Sequence, residues 1–411
     1  MRSNYKPLGN FISEVNERDT EINVELLLGV SIQKKFIRSI ANIIGTDMST
    51  YKIVRKNQFA YGPVTSRNGD KVSIALLENH EEAIVSQAYT VFEISRPMEL
   101  LPEYLMMWFR RPEFDRYARF MSHGSAREIF GWEEMCNTEI PTPHIDKQRE
   151  IVKEYNTILC RIDLNNGLIQ KLEETAQAIY KQWFVDFEFP NENGEPYKSA
   201  GGEMVESELG DIPQGWRVGE FSELGLDVSD GNYSSKYPSS DELTTSGIPF
   251  IRGTDFENNC INPFNLQYLT PEKHKELRKG HTKKGDILIA NRGEIGKYAY
   301  VTSRFVDANT NSQLVRINGG NKYPTAYLGC LITSKPFREE ILSSTTGSAL
   351  QQLPITNLMK LKLIIPNEAQ VLLASKLLIP LHNRFLVKNE ENFELMGLQN
   401  VLLSKLATGT D

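Results

Sequence analysis

The 411-residue sequence contains no apolar run near the roughly 20 residues that a helix needs to cross a bilayer. Its first residues, MRSNYKPLGNF, lack the apolar stretch of a signal peptide. The four cysteines, Cys136, Cys160, Cys260 and Cys330, are scattered without a C-x-x-C pair, which argues against a metal or disulfide framework. We therefore expect a cytoplasmic protein with no part in a membrane.

Motifs for the common catalytic chemistries are also absent. The sequence has no G-x-x-x-x-G-K-[ST] loop, no G-x-G-x-x-G fingerprint, no H-E-x-x-H and no G-x-S-x-G elbow. Asn262-Pro263-Phe264 matches only part of the motif with which amino-methyltransferases hold an amine. The six histidines are isolated along the chain. We expect no catalytic residue and no metal site in this chain.

One enzymatic alternative stays open. Asp286, Glu294 and Lys297 could form a metal-dependent nuclease site, although Glu294 and Lys297 are one residue further apart than such sites require. The other half of the chain has no counterpart of these residues. A stand-alone enzyme that cuts or modifies DNA with Asp286 and Glu294 is the alternative function.

The charge is acidic overall, at -7, but it is unevenly distributed. Between residues 31 and 71 the basic residues are Lys34, Lys35, Arg38, Lys52, Arg55, Lys56, Arg67 and Lys71, against only Asp47 and Asp70. A second basic run lies between residues 273 and 304, and acidic residues concentrate between 186 and 211. Because phosphate binding depends on local lysine and arginine, nucleic acid remains a candidate partner.

The sequence repeats itself at a constant separation of 223 residues. Tyr104-Leu105 recurs as Tyr327-Leu328, Phe114 as Phe337, Gly124-Ser125-Ala126 as Gly347-Ser348-Ala349, Pro143 as Pro366, and Leu172 as Leu395. A constant offset over such a span predicts two related modules in tandem. Two similar modules suit a ligand that itself has two parts.

Each module is predicted to be a mixed sheet with few helices, followed by one long helix, so the fold class is α+β. Strand patterns cover residues 51–61, 71–77 and 84–94 in the first module, and 248–252, 286–290, 298–302 and 313–317 in the second. A helix over 102–120 or 324–342, the Gly-Ser-Ala turn and a last strand follow. The predicted domains are 1–145, a helix over 146–187, an acidic connection over 188–211, 212–366, and a helix over 367–411.

The two long helices carry matching heptad seams. The first seam is Ile151, Tyr155, Ile158, Ile162, Asn165, Ile169, Leu172, Ala176, Ile179 and Trp183. The second is Ala374, Leu378, Leu381, Phe385, Lys388, Asn392, Leu395, Gln399, Leu402 and Leu406. Antiparallel pairing would place Asn165 near Lys388 and Asn392. Alternatively, Asn165-Asn166-Gly167 separates two shorter helices, and Pro380 predicts a kink or loosened first turns.

Arginine and asparagine on turns beside strands are the candidate base-reading residues, because arginine fits the guanine edge and asparagine the adenine edge. The turns are Ser66-Arg67-Asn68-Gly69 and Asn291-Arg292-Gly293, and residues 233–237 form a polar, aromatic loop. The predicted DNA contacts are Lys34, Lys35, Arg38, Arg55, Lys56, Arg67, Asn68, Tyr233, Lys236, Arg252, Asn291, Arg292 and Lys297. A purely structural coiled-coil scaffold, with no affinity for DNA, is a third hypothesis.

Over its whole length the chain resembles the specificity subunit of type I restriction-modification systems. LEETAQAIYKQWFVDFEFP, which begins at Leu172, and the later GGEMVESELGDIPQGW resemble the family's central helix end and the entry to its second recognition domain. LLGVSIQKKFIRSIANIIGTDMSTYKIVRKNQFAYGPVTSRNGD is similar to one version of the variable first domain. GIPFIRGTDF and GDILIANRGEIGKYAYV match the general pattern of the second.

This resemblance implies two target recognition domains, separated by two long antiparallel helices in a pseudo-twofold repeat. Each domain would read half of an asymmetric, bipartite site on double-stranded DNA. The helices would set the gap and dock two methyltransferase (M) subunits, and restriction and motor (R) subunits would complete the complex. S-adenosylmethionine, ATP and magnesium would be bound by those partners rather than by this chain. The residues predicted for helix pairing and partner docking are Ile158, Ile162, Asn165, Ile169, Leu172, Ile179, Trp183, Leu381, Phe385, Asn392, Leu395 and Leu402.

Overall fold

A computed structural model describes residues 4–39, 46–66, 68–69, 71–124, 127–231, 235–347 and 351–407. The chain divides into two compact units. Unit 1 comprises Met1–Arg161 and Leu395–Asp411, and unit 2 comprises Ile162–Glu394. Each unit thus holds one predicted module with parts of both long helices. None of the described helices is long and apolar enough to cross a bilayer.

Unit 1 is built on a four-stranded antiparallel sheet with three smaller strand pairs. Its described strands are β1 (Tyr5–Pro7), β2 (Ile12–Val15), β3 (Leu28–Val30), β4 (Phe36–Arg38), β5 (Lys52–Arg55), β6 (Phe59–Tyr61), β7 (Ile74–Leu76), β8 (Glu82–Val85), β9 (Thr90–Ile94) and β10 (Glu139–Pro141). Its helices are α1 (Pro102–Phe109), α2 (Pro112–Phe120), α3 (Trp132–Asn137) and the first part of α4 (Ile145–Phe184). The sheet order is β2-β9-β6-β7, and the pairs are β1-β10, β3-β4 and β5-β8.

Aromatic side chains fill the core of unit 1. Phe59 and Phe92, opposite each other on β6 and β9, stack with ring centroids 4.8 Å apart. The ring of Phe109 in α1 lies edge-on to the Phe59 ring, with centroids 5.9 Å apart. Aromatic pairs prefer this geometry. Leu403 and Leu406, from the end of the chain, belong to the same buried cluster. Unit 1 is therefore completed by the last residues of the sequence.

Unit 2 contains a six-stranded sheet and a three-stranded sheet. Its described strands are β11 (Met204–Val205), β12 (Ile212–Pro213), β13 (Arg217–Glu220), β14 (Asp227–Asp230), β15 (Ile248–Ile251), β16 (Phe256–Glu257), β17 (Cys260–Ile261), β18 (Gln267–Leu269), β19 (Ile287–Ala290), β20 (Tyr298–Tyr300), β21 (Asn309–Thr310), β22 (Leu314–Asn318) and β23 (Lys362–Ile365). Its helices are α5 (Pro271–Glu276), α6 (Thr325–Thr333), α7 (Lys335–Ser343), α8 (Ile355–Met359) and most of α9 (Glu368–Lys405). The sheet orders are β14-β22-β19-β20-β17-β16 and β18-β15-β21, with the pairs β11-β12 and β13-β23. The mixture of elements confirms the α+β class.

Both modules close in the same way. In each, an early strand pairs antiparallel with the strand that precedes the long helix, β1 with β10 and β13 with β23. A 3-10 turn follows each of these early strands, at Leu8–Asn10 and Phe221–Leu224. The sequence repeat does not reveal this correspondence, because β1 and β13 are not separated by the 223 residues that relate later parts of the two modules.

The helix predicted in the middle of each module is two helices. Residues 102–120 divide into α1 and α2, and residues 324–342 divide into α6 and α7. Arg111 and Ser334 have extended backbones, with ψ of 134° and 147°, at the start of α2 and α7. Pro112 directly follows Arg111, and proline disfavours helical geometry in the residue before it. Pro336 is the second residue of α7, and proline suits the first turn of a new helix.

The long helices are continuous. α4 runs through Asn165-Asn166-Gly167, so the alternative of two shorter helices is wrong. α9 continues through Pro380, so its first turns are not lost. Pro380 lies on the exposed side of α9, where a backbone carbonyl without a helical donor can bind water. In the described part of both helices, all residues of the two predicted seams are buried or half-buried.

Polar contacts within each unit give the direction of pairing. In unit 1, Gln399 Nε2 donates to the Tyr155 hydroxyl at 2.7 Å. In unit 2, Asn165 Nδ2 donates to Asn392 Oδ1 at 3.0 Å, and Asn392 Nδ2 donates to Asn166 Oδ1 at 2.9 Å. Residue numbers rise along α4 as they fall along α9, which is the antiparallel order. The predicted amide layer is confirmed for Asn165 and Asn392.

The Asn165–Asn392 pair predicts strong coupling between the two side chains. Asn392→Leu should lower the free energy of unfolding by about 1–3 kcal/mol, because it leaves the buried Asn165 amide unpaired. Adding Asn165→Leu should recover most of that loss, since an apolar pair suits a buried seam. Urea unfolding of both single variants and the double variant measures the coupling. Asn383→Leu, at an exposed position on α9, is the control; additive losses for Asn165 and Asn392 would contradict the prediction.

Candidate nucleic-acid interface

Lys34 anchors the β3–β4 hairpin to the interior of unit 1. Its backbone has a φ of 61°, which turns the chain between the two strands. Its ammonium lies 2.8 Å from a carboxylate oxygen of Asp115, donates to the carbonyl of Phe109, and faces the Phe114 ring. Burial lowers the pKa of Lys34, and the Asp115 carboxylate opposes that shift. Because only 5% of Lys34 is exposed, the prediction that it contacts DNA is wrong.

The hairpin also carries exposed side chains. Lys35 and Arg38 are exposed, and Ile32 and Ile37 beside them are 42% and 45% exposed. A strand pair that exposes cationic and apolar side chains has the chemistry to contact a nucleic-acid groove. Lys35 and Arg38 therefore stay predicted DNA contacts.

In unit 1 residues 64–66 and 68–69 lie beside residues 122–124 and 127–129, which flank the repeated Gly-Ser-Ala sequence. Ile129 forms backbone bridges with both Val64 and His123, and Thr65 Oγ1 donates to Ser122 Oγ at 3.0 Å. Asn68 Nδ2 donates to the carbonyl of Val64 at 3.2 Å, which holds the first turn. Half-exposed Asn68 and exposed His123 and Arg127 are thereby gathered on one loop surface. Arg67 and Ser125-Ala126 lie outside the described residues.

Unit 2 has the same arrangement. Gln352 forms backbone bridges with both Arg292 and Thr346, and the Leu353 amide donates to the Asn291 carbonyl at 2.8 Å. Thr346 and Gln352 follow His123 and Ile129 by the repeat distance of 223 residues. The Asn291-Arg292-Gly293 turn thus occupies the place of the 66–69 turn. Ser348-Ala349 and Tyr233 lie outside the described residues.

A shallow cavity adjoins the second turn pair. It is lined by residues 294–297 and by side chains of α6 and α7, including Arg338 and Leu342. Arg338 is exposed, and Leu342 is 61% exposed. We call the two turns of each unit, together with their flanking exposed side chains, the paired-turn surface. Its members are Asn68, His123 and Arg127 in unit 1, and Arg292, Arg338 and Gln352 in unit 2.

Several predicted DNA contacts are held by acidic neighbours. Arg55 pairs with Glu17 at 2.6 Å and Glu82 at 2.7 Å, and Lys56 pairs with Glu81 at 2.7 Å. In unit 2, Arg252 pairs with Asp255 and Lys297 with Glu294, both at 2.8 Å. These ion pairs neutralise the positive charges of four residues that the sequence predicts to contact DNA. Lys236 is exposed, whereas Asn291 is only 6% exposed and its amide lies in the interior.

The nuclease alternative does not fit the position of Asp286. Its carboxylate is fully buried and accepts from Arg316 at 3.1 Å, from Asn318 at 2.7 Å and from the Lys283 amide at 2.6 Å. Burial raises the pKa of Asp286, against the opposing effect of those partners. Glu294 is exposed and pairs with Lys297. Asp286 is therefore a structural acid in an internal ion pair.

Two further sequence expectations change. Asn262 Oδ1 accepts from the Phe264 amide at 2.8 Å, so the methyltransferase-like Asn262-Pro263-Phe264 forms a local turn. The histidines are not all isolated, because the rings of His274 and His281 lie 4.3 Å apart.

Sequence reasoning missed His123, Arg127, Arg338 and Gln352. A signal was present for three of them, since His123, Arg127 and Gln352 flank the repeated Gly-Ser-Ala turns. Those turns were treated as framework only. For Arg338 the sequence offered no signal, because its position beside residues 294–297 arises from packing of α7.

Comparisons with known proteins agree on one family. The model of the type I restriction modification DNA specificity domain matches residues 213–379. The HindI specificity subunit of a type I restriction enzyme from Haemophilus influenzae is 21% identical, over 93% of this chain and 92% of its own. The MjaIX specificity subunit of a type I restriction enzyme from Methanocaldococcus jannaschii is 24% identical, over 75% of this chain and 69% of its own.

A solved structure shares the fold. The crystal structure of the type I restriction-modification system S subunit from M. genitalium superimposes with a TM-score of 0.56. The alignment covers 98% of this chain and 95% of that chain at 14% identity. The likeness concerns the fold of the whole chain, including both modules and both long helices.

The Lys34–Asp115 pair predicts a large stability loss on its removal. Lys34→Met should lower the free energy of unfolding by about 3–5 kcal/mol, because it leaves the Asp115 carboxylate buried without its cation. Lys35→Met, at the exposed neighbouring position, should change it by less than about 0.5 kcal/mol. Urea unfolding measures both variants. Equal effects would show that the hairpin is not anchored through Lys34.

Proposed function

Because the chain belongs to the family of type I restriction-modification specificity subunits, we propose that it reads DNA sequence within such a complex. The observation that carries the proposal is the paired-turn surface, which occurs once in each unit with the same backbone bridges. The framework is shared, but the exposed side chains differ. Such a chain reads two different half-sites, so its target is bipartite and asymmetric.

The side chains on the two surfaces suit base readout. In unit 1 they are an amide, an imidazole and a guanidinium, from Asn68, His123 and Arg127. In unit 2 they are two guanidinium groups and an amide, from Arg292, Arg338 and Gln352. Arginine pairs with the guanine edge, and asparagine or glutamine with the adenine edge, in the major groove. Lys35 and Arg38 of the hairpin add contacts to phosphate.

We assign the gap between the half-sites to the long helices. α4 has 40 residues, which corresponds to about 60 Å at 1.5 Å per residue. One turn of B-DNA is roughly 34 Å long. The α4 helix is therefore longer than the distance between adjacent turns of the DNA. The buried amide layer of Asn165 and Asn392 holds the register on which such a spacer depends.

Exposed apolar side chains on the helices support the docking of methyltransferase subunits. The seam residues predicted for this role lie inside, while other leucines and valines face outward. The exposed set on α4 and α9 includes Leu164 and Val387 at 56% and 58%, Leu398 and Val401 at 55% and 50%, and Leu377 at 48%. Apolar side chains exposed along a helix favour a protein partner.

The proposed chain is the reader and not the catalyst. Asp286, the best candidate for nuclease chemistry, is occupied by Arg316. Transfer of the methyl group, with its S-adenosylmethionine, belongs to the methyltransferase subunits, and ATP and magnesium belong to the restriction subunits. DNA as ligand also supports the expectation of a cytoplasmic protein. Purified chain should therefore neither methylate nor cut DNA, with S-adenosylmethionine or magnesium added.

Variants of one surface should alter one half-site. Arg127→Ala with Asn68→Ala should reduce discrimination in the first half-site by roughly 30-fold or more, because each of the two lost base contacts is worth about 1–3 kcal/mol. Arg292→Ala with Arg338→Ala should do the same in the second. Sequencing of methylated sites in cells that carry each variant with its methyltransferase subunits gives both half-sites and their gap.

Lys335→Ala, at an exposed cation on the same helix as Arg338, is the control and should leave both half-sites intact. A loss shared equally by the two half-sites in either double variant would contradict two independent readers. Complete retention of both half-sites would place the base contacts elsewhere.

The docking proposal is tested separately. Leu164→Glu with Val387→Glu should weaken binding of the methyltransferase subunit by at least about 10-fold, because each charge would be buried in an apolar contact. Co-purification and sedimentation measure complex formation. Gln170→Glu, an exposed polar position on α4, is the control. If the double variant still assembles fully with the methyltransferase subunit, Leu164 and Val387 are not part of the docking surface.

A further inference from the structure

Three potential metal ligands converge in unit 2, and none of them belongs to the paired-turn surface. His274 lies in α5, His281 follows that helix, and Asp307 lies in the turn before β21. Asp307 Oδ1 is 3.4 Å from His274 Nε2 and 3.5 Å from His281 Nδ1. Within the described residues, these three make a group whose ligand atoms all lie within 4.8 Å of one another.

The contacts of His281 leave one ring nitrogen available. Its Nε2 is 2.6 Å from the carbonyl oxygen of Leu277. A carbonyl only accepts, so Nε2 carries the proton. In the neutral ring Nδ1 then presents its lone pair to the Asp307 carboxylate. Two acceptors facing each other repel unless a proton or a metal ion lies between them.

Two of the three ligand-atom separations suit a metal site better than ordinary hydrogen bonds. Separations of 3.4 and 3.5 Å exceed the usual 2.7–3.2 Å of roughly linear N–H···O bonds. They are close to the edge of a tetrahedron, about 3.3–3.4 Å, whose corners lie roughly 2.0–2.1 Å from a zinc ion. We propose that His274, His281 and Asp307 bind a divalent metal ion of the zinc class.

The surroundings match those of metal ligands. Metal-bound histidines donate their other N–H to a carbonyl or carboxylate, as His281 does to Leu277. The Asp307 side chain is 76% exposed, which leaves room for water as the fourth ligand.

The backbone that carries the ligands is well fixed. The Asp307 amide donates to the Thr282 carbonyl at 2.9 Å, and the Thr282 amide donates to the Ala308 carbonyl at 3.0 Å. The nearby cations Lys273 and Lys279 are paired with Glu242 and Asp230, at 2.7 and 2.9 Å. These pairs reduce repulsion of a bound cation. A metal here would join α5 to the Asp307 turn and thereby hold the basic segment that begins at Lys273.

The left-handed backbone of Asp307, with a φ of 61°, allows a precise variant. Asn adopts this conformation readily, so Asp307→Asn removes the carboxylate charge with little change to the fold. His281→Gln removes one imidazole. The full-length metal-free chain should bind one zinc ion, and zinc should raise its melting temperature. Either variant should weaken zinc binding by at least roughly 100-fold, more than the about 10- to 100-fold typical of losing an outer-shell partner.

Cobalt provides a readout that folding defects do not imitate, because tetrahedral coordination by nitrogen and oxygen ligands gives visible absorption. Asp241→Asn and His144→Gln, at exposed positions outside the site, are the matched controls and should bind zinc as the unmodified chain does. The proposal is overturned if the unmodified chain binds no zinc at neutral pH. It is equally overturned if zinc binding and the cobalt spectrum survive in Asp307→Asn and His281→Gln.

Discussion

The burial of one face of α4 and of α9 is the constraint on which both units depend. Unit 1 is not a continuous stretch of sequence, because it takes its last residues from the end of the chain. Leu403 and Leu406 fill the unit 1 core, and the Tyr5 hydroxyl donates to the Ala407 carbonyl at 2.7 Å. The two ends of the polypeptide are thereby held in one structure. Without the helical seams, unit 1 would lose part of its core.

The seam combines apolar packing with a few demanding polar contacts. Asn165 and Asn392 are almost fully buried, so each amide needs its partner. An apolar pair would be more stable, but it would accept several registers. The amide pair admits one register, which is the property that a spacer between two reading modules requires. Gln399 and Tyr155 make a similar polar contact in unit 1.

In each module the framework is separate from the side chains that we propose to read DNA. Backbone bridges at Ile129 and Gln352 hold the same two turns together in each unit, and backbone bonds impose no demand on exposed side chains. Those side chains can therefore differ while the turns remain. Basic residues are divided in the same way. Lys34 and Arg316 form ion pairs in the interior, whereas Lys35 and Arg127 are exposed at the surface.

The sequence by itself determined the α+β class, the tandem modules and the seams, because periodicity and repetition are local properties of a chain. It also predicted the Asn165–Asn392 contact, since the heptad places both residues in the seam. Tertiary structure alone decided that Lys34 is buried while Lys35 is exposed, that the paired turns meet, and that His274, His281 and Asp307 converge. Burial and charge pairing depend on neighbours distant in sequence, and no local pattern records which of those neighbours folding brings into contact.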